Sequence, residues 1–170
     1  MMAKKPPGSN SVKVPMRDFS RSLPMSLLRA RESVMRHFRP SLRAHGLTEQ
    51  QWRILRALAS NGDVEVTELA RMAYLLGPSL SRILRDLETR RLIERRAVKA
   101  DLRRNIVSIT AGGLRLIKAV APSSEAIYAE ITTRYGVRKL AELQEMLHRL
   151  ETSLVAMSVP GNGDADDDSK

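Results

Sequence analysis

Between Gly77 and Thr110 the hydrophobic period changes from that of a helix to that of a strand within a few residues. Leu80, Ile83, Leu84 and Leu87 fall at i, i+3, i+4 and i+7, which predicts one apolar stripe on a helix beginning near Pro78. Ser79, Ser81, Arg82, Arg85 and Asp86 are left on its other faces. Ile93 to Val98 and Asn105 to Ile109 then have strand composition, and the KADLRR between them predicts a two-stranded hairpin. A hairpin that only connects two strands needs turn residues and gains nothing from arginines. This one carries Arg103 and Arg104 at its tip.

The flanking segments are mostly helical in pattern. Leu23, Leu27, Met35, Phe38 and Leu42 predict a first helix, stopped by Gly46 at C′. Thr48 with Gln51 is a capping-box signature, and Trp52, Leu55, Leu58 and Ala59 form one face of the helix it opens. Thr67 can cap a short third helix with Leu69, Ala70 and Ala73 inward. After the hairpin, Thr110 with Gly113 starts a long helix carrying Leu114, Ile117, Val120, Ile127 and Ile131, in which Pro122 is expected to cause a kink or mark a boundary. The last helix, about 137–157, spaces Leu140, Leu143, Leu147, Leu150, Leu154 and Met157 in the heptad rhythm, which predicts a seam between subunits. The fold class is therefore mainly α with a small β-hairpin wing, a winged helix-turn-helix. A basic arm over 1–20 and an acidic tail over 159–170 are expected to be disordered.

Charge narrows the partner. The chain carries +10, and its last eleven residues contribute −3, leaving +13 on residues 1–159. Nine basic residues against four acids lie between Arg82 and Arg104. An anionic partner follows, and nucleic acid is the commonest. With no cysteine, three scattered histidines and no glycine-rich phosphate loop, the chain offers no enzyme site, metal site or cofactor motif. No apolar run is long enough to span a bilayer, so a cytoplasmic protein without membrane contact is expected.

The hairpin residues Asp101, Arg103, Val107, Ile109 and Thr110 match D-x-R-x-x-x-V-x-L-T, while Ser79 to Arg82 match S-x-[ST]-R and Thr110 with Gly113 matches T-x-x-G. In this ordered combination the chain resembles the MarR family of bacterial transcriptional regulators over roughly residues 22–157. The phrases LLRARE, FRP and LTEQQWRIL resemble its repressors of aromatic-acid catabolism, of the homoprotocatechuate and hydroxycinnamate operon type. The resemblance implies a homodimeric repressor on a pseudo-palindromic operator in double-stranded DNA, released by a small aromatic carboxylate. It also implies N- and C-terminal dimerisation helices at about 21–45 and 113–157 around a DNA-binding lobe at about 48–110. DNA contacts are expected from Pro78, Ser79, Ser81, Arg82 and Arg85 of the helix, and from Arg96, Lys99, Arg103 and Arg104 of the wing, with Asp101 holding the wing in shape. Arg91 stands where the family has glycine, so it must either turn left-handed or end the helix differently. The usual proline before the wing aspartate is absent, with VKA in its place.

A carboxylate site has residues to draw on, since arginine is the best bidentate partner for that group. Arg31, Trp52 and Arg53 are the first candidates to bind the effector, followed by Ser33 and His37. Each also has a plain reading: Trp52 as core, Arg31 in an ion pair with Glu32, His37 at a satisfied helix position. An effector-independent architectural DNA binder would explain the charge and the wing, but would leave this grouping without a role.

Overall fold

The structure, a computed structural model, describes residues 18–98, 101–155 and 157. Lys99 and most of the expected arm and tail lie outside the described residues, and at Asp101 and Arg103 the description covers the backbone alone. Six helices and three strands follow one another as α1 (Leu23–Ala44), α2 (Glu49–Asn61), β1 (Val64–Glu65), α3 (Val66–Ala73), α4 (Gly77–Thr89), β2 (Ile93–Val98), β3 (Asp101–Ile109), α5 (Ala111–Tyr135) and α6 (Val137–Val155). A single 3-10 turn, Phe19–Arg21, precedes α1. No helix among the described residues is long and apolar enough to cross a membrane.

The helix starts and stops come from local chemistry. Thr48 and Gln51 form the reciprocal capping box, with Gln51 N bonded to Thr48 Oγ1 at 3.2 Å and Thr48 N to Gln51 Oε1 at 2.9 Å. The Gln51 amide also reaches Asp86 Oδ2 at 2.7 Å, tying the start of α2 to α4. Gly46, at φ 65°, closes α1 with paired bonds from Gly46 N to Arg43 O and Leu47 N to Leu42 O. The same two-bond closure ends α4: Arg91 N reaches Glu88 O at 2.8 Å and Leu92 N reaches Leu87 O at 2.9 Å. Arg91 takes the left-handed conformation there, at φ 57°, so the helix ends as a glycine would end it.

Four expectations are corrected. Thr67 does not cap α3, because β1 pairs with β3 up to Glu65 and the helix begins at once at Val66 with Glu65 as N-cap. The sheet has three strands in the order β1-β3-β2, since Val64 pairs with Val107 on one side of β3 and Ile93 with Ile109 on the other. The second hairpin strand starts at Asp101, not Asn105, with an irregular register at Ala97/Val98. α5 runs unbroken through Pro122, so the proline marks no boundary.

The core lies in the lobe between α2 and β3, joined by Phe38 and Leu42 of α1 and Val120 of α5. Ile54, Leu55, Leu58, Leu69, Leu80, Leu84 and Leu87 are almost wholly buried, each contributing about 2 kcal/mol relative to exposure. Ala59, expected inward, is exposed, and Ile54 takes the buried position. The outer helices differ. Leu23, Leu27, Leu28 and Val34 of α1 stand in solvent, Leu114 of α5 does too, and α6 has no fully buried residue, only half-buried ones such as Leu140, Leu143 and Leu150.

α5 starts against the end of α4. Thr110 Oγ1 accepts from Gly113 N at 3.1 Å and donates to Arg91 O at 2.7 Å. A Cβ at Gly113 would collide with the Leu92 carbonyl and lie 2.6 Å from Ile109 Cγ1. Gly113→Ala should therefore destabilise the protein by about 2 kcal/mol or more, despite alanine's better helix propensity. Arg91→Gly should stabilise it by about 0.5 to 1 kcal/mol, the left-handed cost less the entropy that glycine adds to the unfolded chain. Urea unfolding of both variants checks the opposite signs.

Candidate functional site

α3 and α4 form the helix-turn-helix, and burial of Leu80, Leu84 and Leu87 turns the opposite face of α4 outward. Pro78, Ser79, Ser81, Arg82 and Arg85 are all exposed on it. The α4 N-cap, Leu76, offers no side-chain acceptor to the first helical N–H groups, and no acid sits in the first turn. Unpaired N–H groups at a helix start favour an anion. Among the described residues, Arg82 and Arg85 form neither an ion pair nor a side-chain hydrogen bond.

Three wing arginines are held instead. Arg96 pairs with Asp63, Arg104 with Glu65 and Arg95 with Glu88 of α4. Ser108 donates to Asp63 Oδ1 at 2.5 Å, and this bond, with Arg96 behind it, holds the Asp63 carboxyl below the usual carboxylate range. Arg95 lowers Glu88 in the same way. Arg95, Arg104, Ser81 and Thr67 line a cleft between α4 and the wing. Arg95 was not among the sequence candidates; its pairing with the core-facing Val107 across the sheet turns it toward α4. The wing is thus braced to the lobe by carboxylates that no wing motif contains.

A second feature lies between α1 and α2: an open cavity of about 590 Å³. Arg31, Val34, Met35 and Phe38 face it from α1, one stripe at i, i+3, i+4 and i+7. Trp52, Arg53 and Arg56 face it from α2, Tyr74 from the α3–α4 turn and Tyr128 from α5. Phe38 and Tyr128 pack as a tilted pair, with ring centroids 5.1 Å apart. Arg56 stands over the Trp52 ring at 5.8 Å.

The three arginines are not equivalent. Arg31 donates to Glu32 at 2.6 Å and also pairs with Glu49, and Arg39 bonds the same two carboxylates. Burial pushes the Glu49 carboxyl up, but hydrogen bonds from Arg39 and Arg31 outweigh it and leave the group below the usual carboxylate range. Arg53 donates to the Ala73 carbonyl at 2.7 Å, satisfying the end of α3. Arg56 forms no ion pair or hydrogen bond among the described residues. It is the cavity guanidinium left open to an incoming anion.

Of the sequence candidates, Arg31, Trp52 and Arg53 come together at this cavity and Ser33 and His37 do not. Both sit two positions beyond residues of the α1 stripe, roughly 200° around the helix from Arg31 and Met35. Ser33 is exposed, and His37 lines a different cavity with Ile127, Glu130 and Arg134. Sequence reasoning passed over Arg56, although its i+4 spacing from Trp52 signals a stacked pair. Tyr74 and Tyr128 carry no local signal, because the chain brings them from 22 and 76 positions beyond Trp52.

A family model described as MarR family matches residues 45–104. The homoprotocatechuate degradative operon repressor of Escherichia coli is 37% identical over 126 residues, covering 74% of this chain and 85% of that protein. The chain belongs to the MarR family. Like the relatives it matches, it is a transcriptional regulator and not an enzyme. Two solved MarR-like structures agree with its winged-helix fold. The transcriptional regulator PA4135 superposes with a TM-score of 0.75 at 41% identity, over 77% of this chain and 96% of that one. NadR in complex with 4-hydroxyphenylacetate superposes at 0.71 with 36% identity, over 81% of this chain and 97% of that one.

Because Arg82 is free and Arg96 is paired, the two should behave differently on DNA. Arg82→Ala should lower affinity for a selected site by about 1 to 3 kcal/mol while affecting unrelated duplexes much less. Arg96→Ala should weaken all duplexes to a similar extent. Fluorescence anisotropy with selected and scrambled duplexes checks this; equal losses for Arg82→Ala would make that residue a phosphate contact only.

Proposed function

We propose that this MarR-type transcriptional repressor works as a homodimer on a pseudo-palindromic operator, and that a small aromatic carboxylate releases it to open an aromatic-compound degradation operon. The observation that carries this reading is the unpartnered Arg56 guanidinium over Trp52, in a cavity walled by Phe38, Met35 and Tyr128. An aromatic ring fits among apolar and aromatic side chains, and its carboxylate answers the cavity guanidinium that has no partner among the described residues. Glu49, held ionised, adds an acceptor for a ring hydroxyl. The similarity to NadR, solved with 4-hydroxyphenylacetate, supports the same chemical class.

The exposed apolar residues support the dimer. Leu147 and Leu154 of α6 and Leu23, Leu27 and Leu28 of α1 are too many to leave in water on two helices. Covering them with a second copy would place two α4 helices on one side of the assembly. A dimer on a palindrome needs these about 34 Å apart, one helical turn of DNA. In this reading α4 enters the major groove, Arg103 probes the neighbouring minor groove, and Lys99 and Arg104 meet phosphates while Asp101 steadies the wing tip. The cavity lies where α1 meets the lobe, so a ligand favouring one lobe position changes that spacing. DNA must then weaken ligand binding by the same factor.

Titration with 4-hydroxyphenylacetate, hydroxycinnamates and pyridine carboxylates, reading Trp52 emission and operator anisotropy together, tests the proposal. At least one compound should change both, and Arg56→Gln should weaken its binding by about 10- to 100-fold. No response across the panel would favour an architectural DNA binder. Replacing Leu147 and Leu150 by glutamate should give monomers in sedimentation; a persistent dimer would place the seam elsewhere.

A further inference from the structure

Tyr74 sits in the left-handed region, at φ 50° and ψ 52°, as the C-cap of α3. An L-residue pays about 1 to 2 kcal/mol for that conformation, and glycine or asparagine would supply the same turn more cheaply. Burial gives nothing back, because the residue is 74% exposed. The backbone is closed by Tyr74 N to Arg71 O at 3.2 Å and Leu75 N to Ala70 O at 3.0 Å, bonds that any residue could make. A costly aromatic at such a position therefore points to its side chain.

That side chain has two contacts of different kinds. Its ring forms part of the cavity wall near Arg53 and Arg56. Its hydroxyl donates to Glu151 on α6, and the carboxylate pushes the phenol pKa up, so the proton stays on the tyrosine. Two residues further on, Leu76 is the N-cap of α4. The Ala73 carbonyl, on the other side of Tyr74, is held by Arg53 from within the cavity. The turn that launches the DNA-facing helix is thus gripped from the cavity through Arg53 and from α6 through Glu151. Because its leucines lock α4 into the lobe core, a shift at this turn relative to α6 carries α4 and the lobe together.

We propose that Tyr74 is a positioning residue that links the cavity wall and α6 to the start of α4, so that the direction of α4 follows the state of the cavity. The link rests on the effector reading given above, but the Tyr74–Glu151 contact can be tested without any effector. With Tyr74 tied to Glu151, α4 has one preferred direction relative to α6. Once the tie is broken, the strained turn relaxes and α4 loses its reference.

The test is a double-mutant cycle with Tyr74→Phe, Glu151→Ala and the combination, using a duplex that the full-length protein has selected from a random pool. Tyr74→Phe keeps the ring and removes only the hydroxyl. Each single change should shift operator affinity, without effector, by about fivefold in the same direction, and the double change by no more than either alone. Melting temperatures should stay within about 2 °C of the wild type, which separates positioning from loss of structure. With saturating 4-hydroxyphenylacetate, the factor by which operator binding weakens should fall in both single variants and no further in the double. Unchanged operator affinity in the singles, or additive effects in the double, would overturn the inference. If 4-hydroxyphenylacetate leaves the wild-type protein unaffected, it is not the effector, and the effector-free cycle alone decides the role of Tyr74.

Discussion

Leu80, Leu84 and Leu87 are buried to 1% exposure or less, and α4 can satisfy all three in only one rotation about its axis. That constraint sets which side chains of α4 face outward. Rotating α4 by one residue, about 100°, would bring Ser81 or Arg85 against Ile54 and Leu58 and leave leucines in water. The cost would be several kcal/mol from desolvated polar groups and lost burial, comparable to the stability of a whole domain. Arg82 and Arg85 are therefore presented outward by leucines that never touch the partner. The half-buried Gln51–Asp86 bond holds the same helix along its length, since Gln51 is already committed to the α2 cap.

The end of α4 sets the wing in turn. Leu92 is both the last residue of the helix closure and the acceptor for Thr110 N, so the chain leaves α4 and returns to α5 through one hydrogen-bonded point. Gly113 lets the two backbones touch there, and the left-handed Arg91 supplies the turn. Between these fixed ends, β2 and β3 can only project away from the lobe. β1 broadens their base to three strands, and Asp63 just before it and Glu65 at its end grip Arg96 and Arg104. A two-stranded hairpin is marginal in water by itself. The third strand and the cross-strand ion pairs make this one part of the lobe.

The fold was legible in the sequence wherever periodicity or capping had room to repeat. The stripe on α4, the capping box at Thr48 and Gln51, the glycine stop at Gly46 and the start of α5 at Thr110 each rest on residues within a few positions of one another, and the structure has all of them. β1 was illegible because two residues cannot show an alternation, and it exists only through its pairing with β3, more than forty positions away. Separations of 33 and 39 positions hid the partners of Arg96 and Arg104. At the cavity, sequence proximity said little about facing: Ser33 and His37 lie two positions beyond Arg31 and Met35 on α1 but on another face of the helix. Arg56 escaped notice because its availability is a matter of exclusion. Only when Arg31 is seen bridged by two glutamates, and Arg53 spent on a backbone carbonyl, does Arg56 stand out as the free cation.

The division of labour among these arginines bears on how a small molecule could move so large a lobe. A change of state by a factor of 100 needs a difference in binding energy of about 2.7 kcal/mol between the two states. Uniform contacts with the ligand cannot provide that difference, however tight they are. Apolar walls such as Met35 and Phe38, whose positions are set by the core, hold a ring similarly well in either state. The difference has to come from groups whose positions change with the lobe relative to α1, and Arg56 and Tyr74 are on that side of the cavity. A charge-assisted hydrogen bond made in one state and lost in the other contributes about 1.5 to 3 kcal/mol. One such contact at Arg56 would be enough for the proposed release, with affinity coming from the ring and switching from the guanidinium.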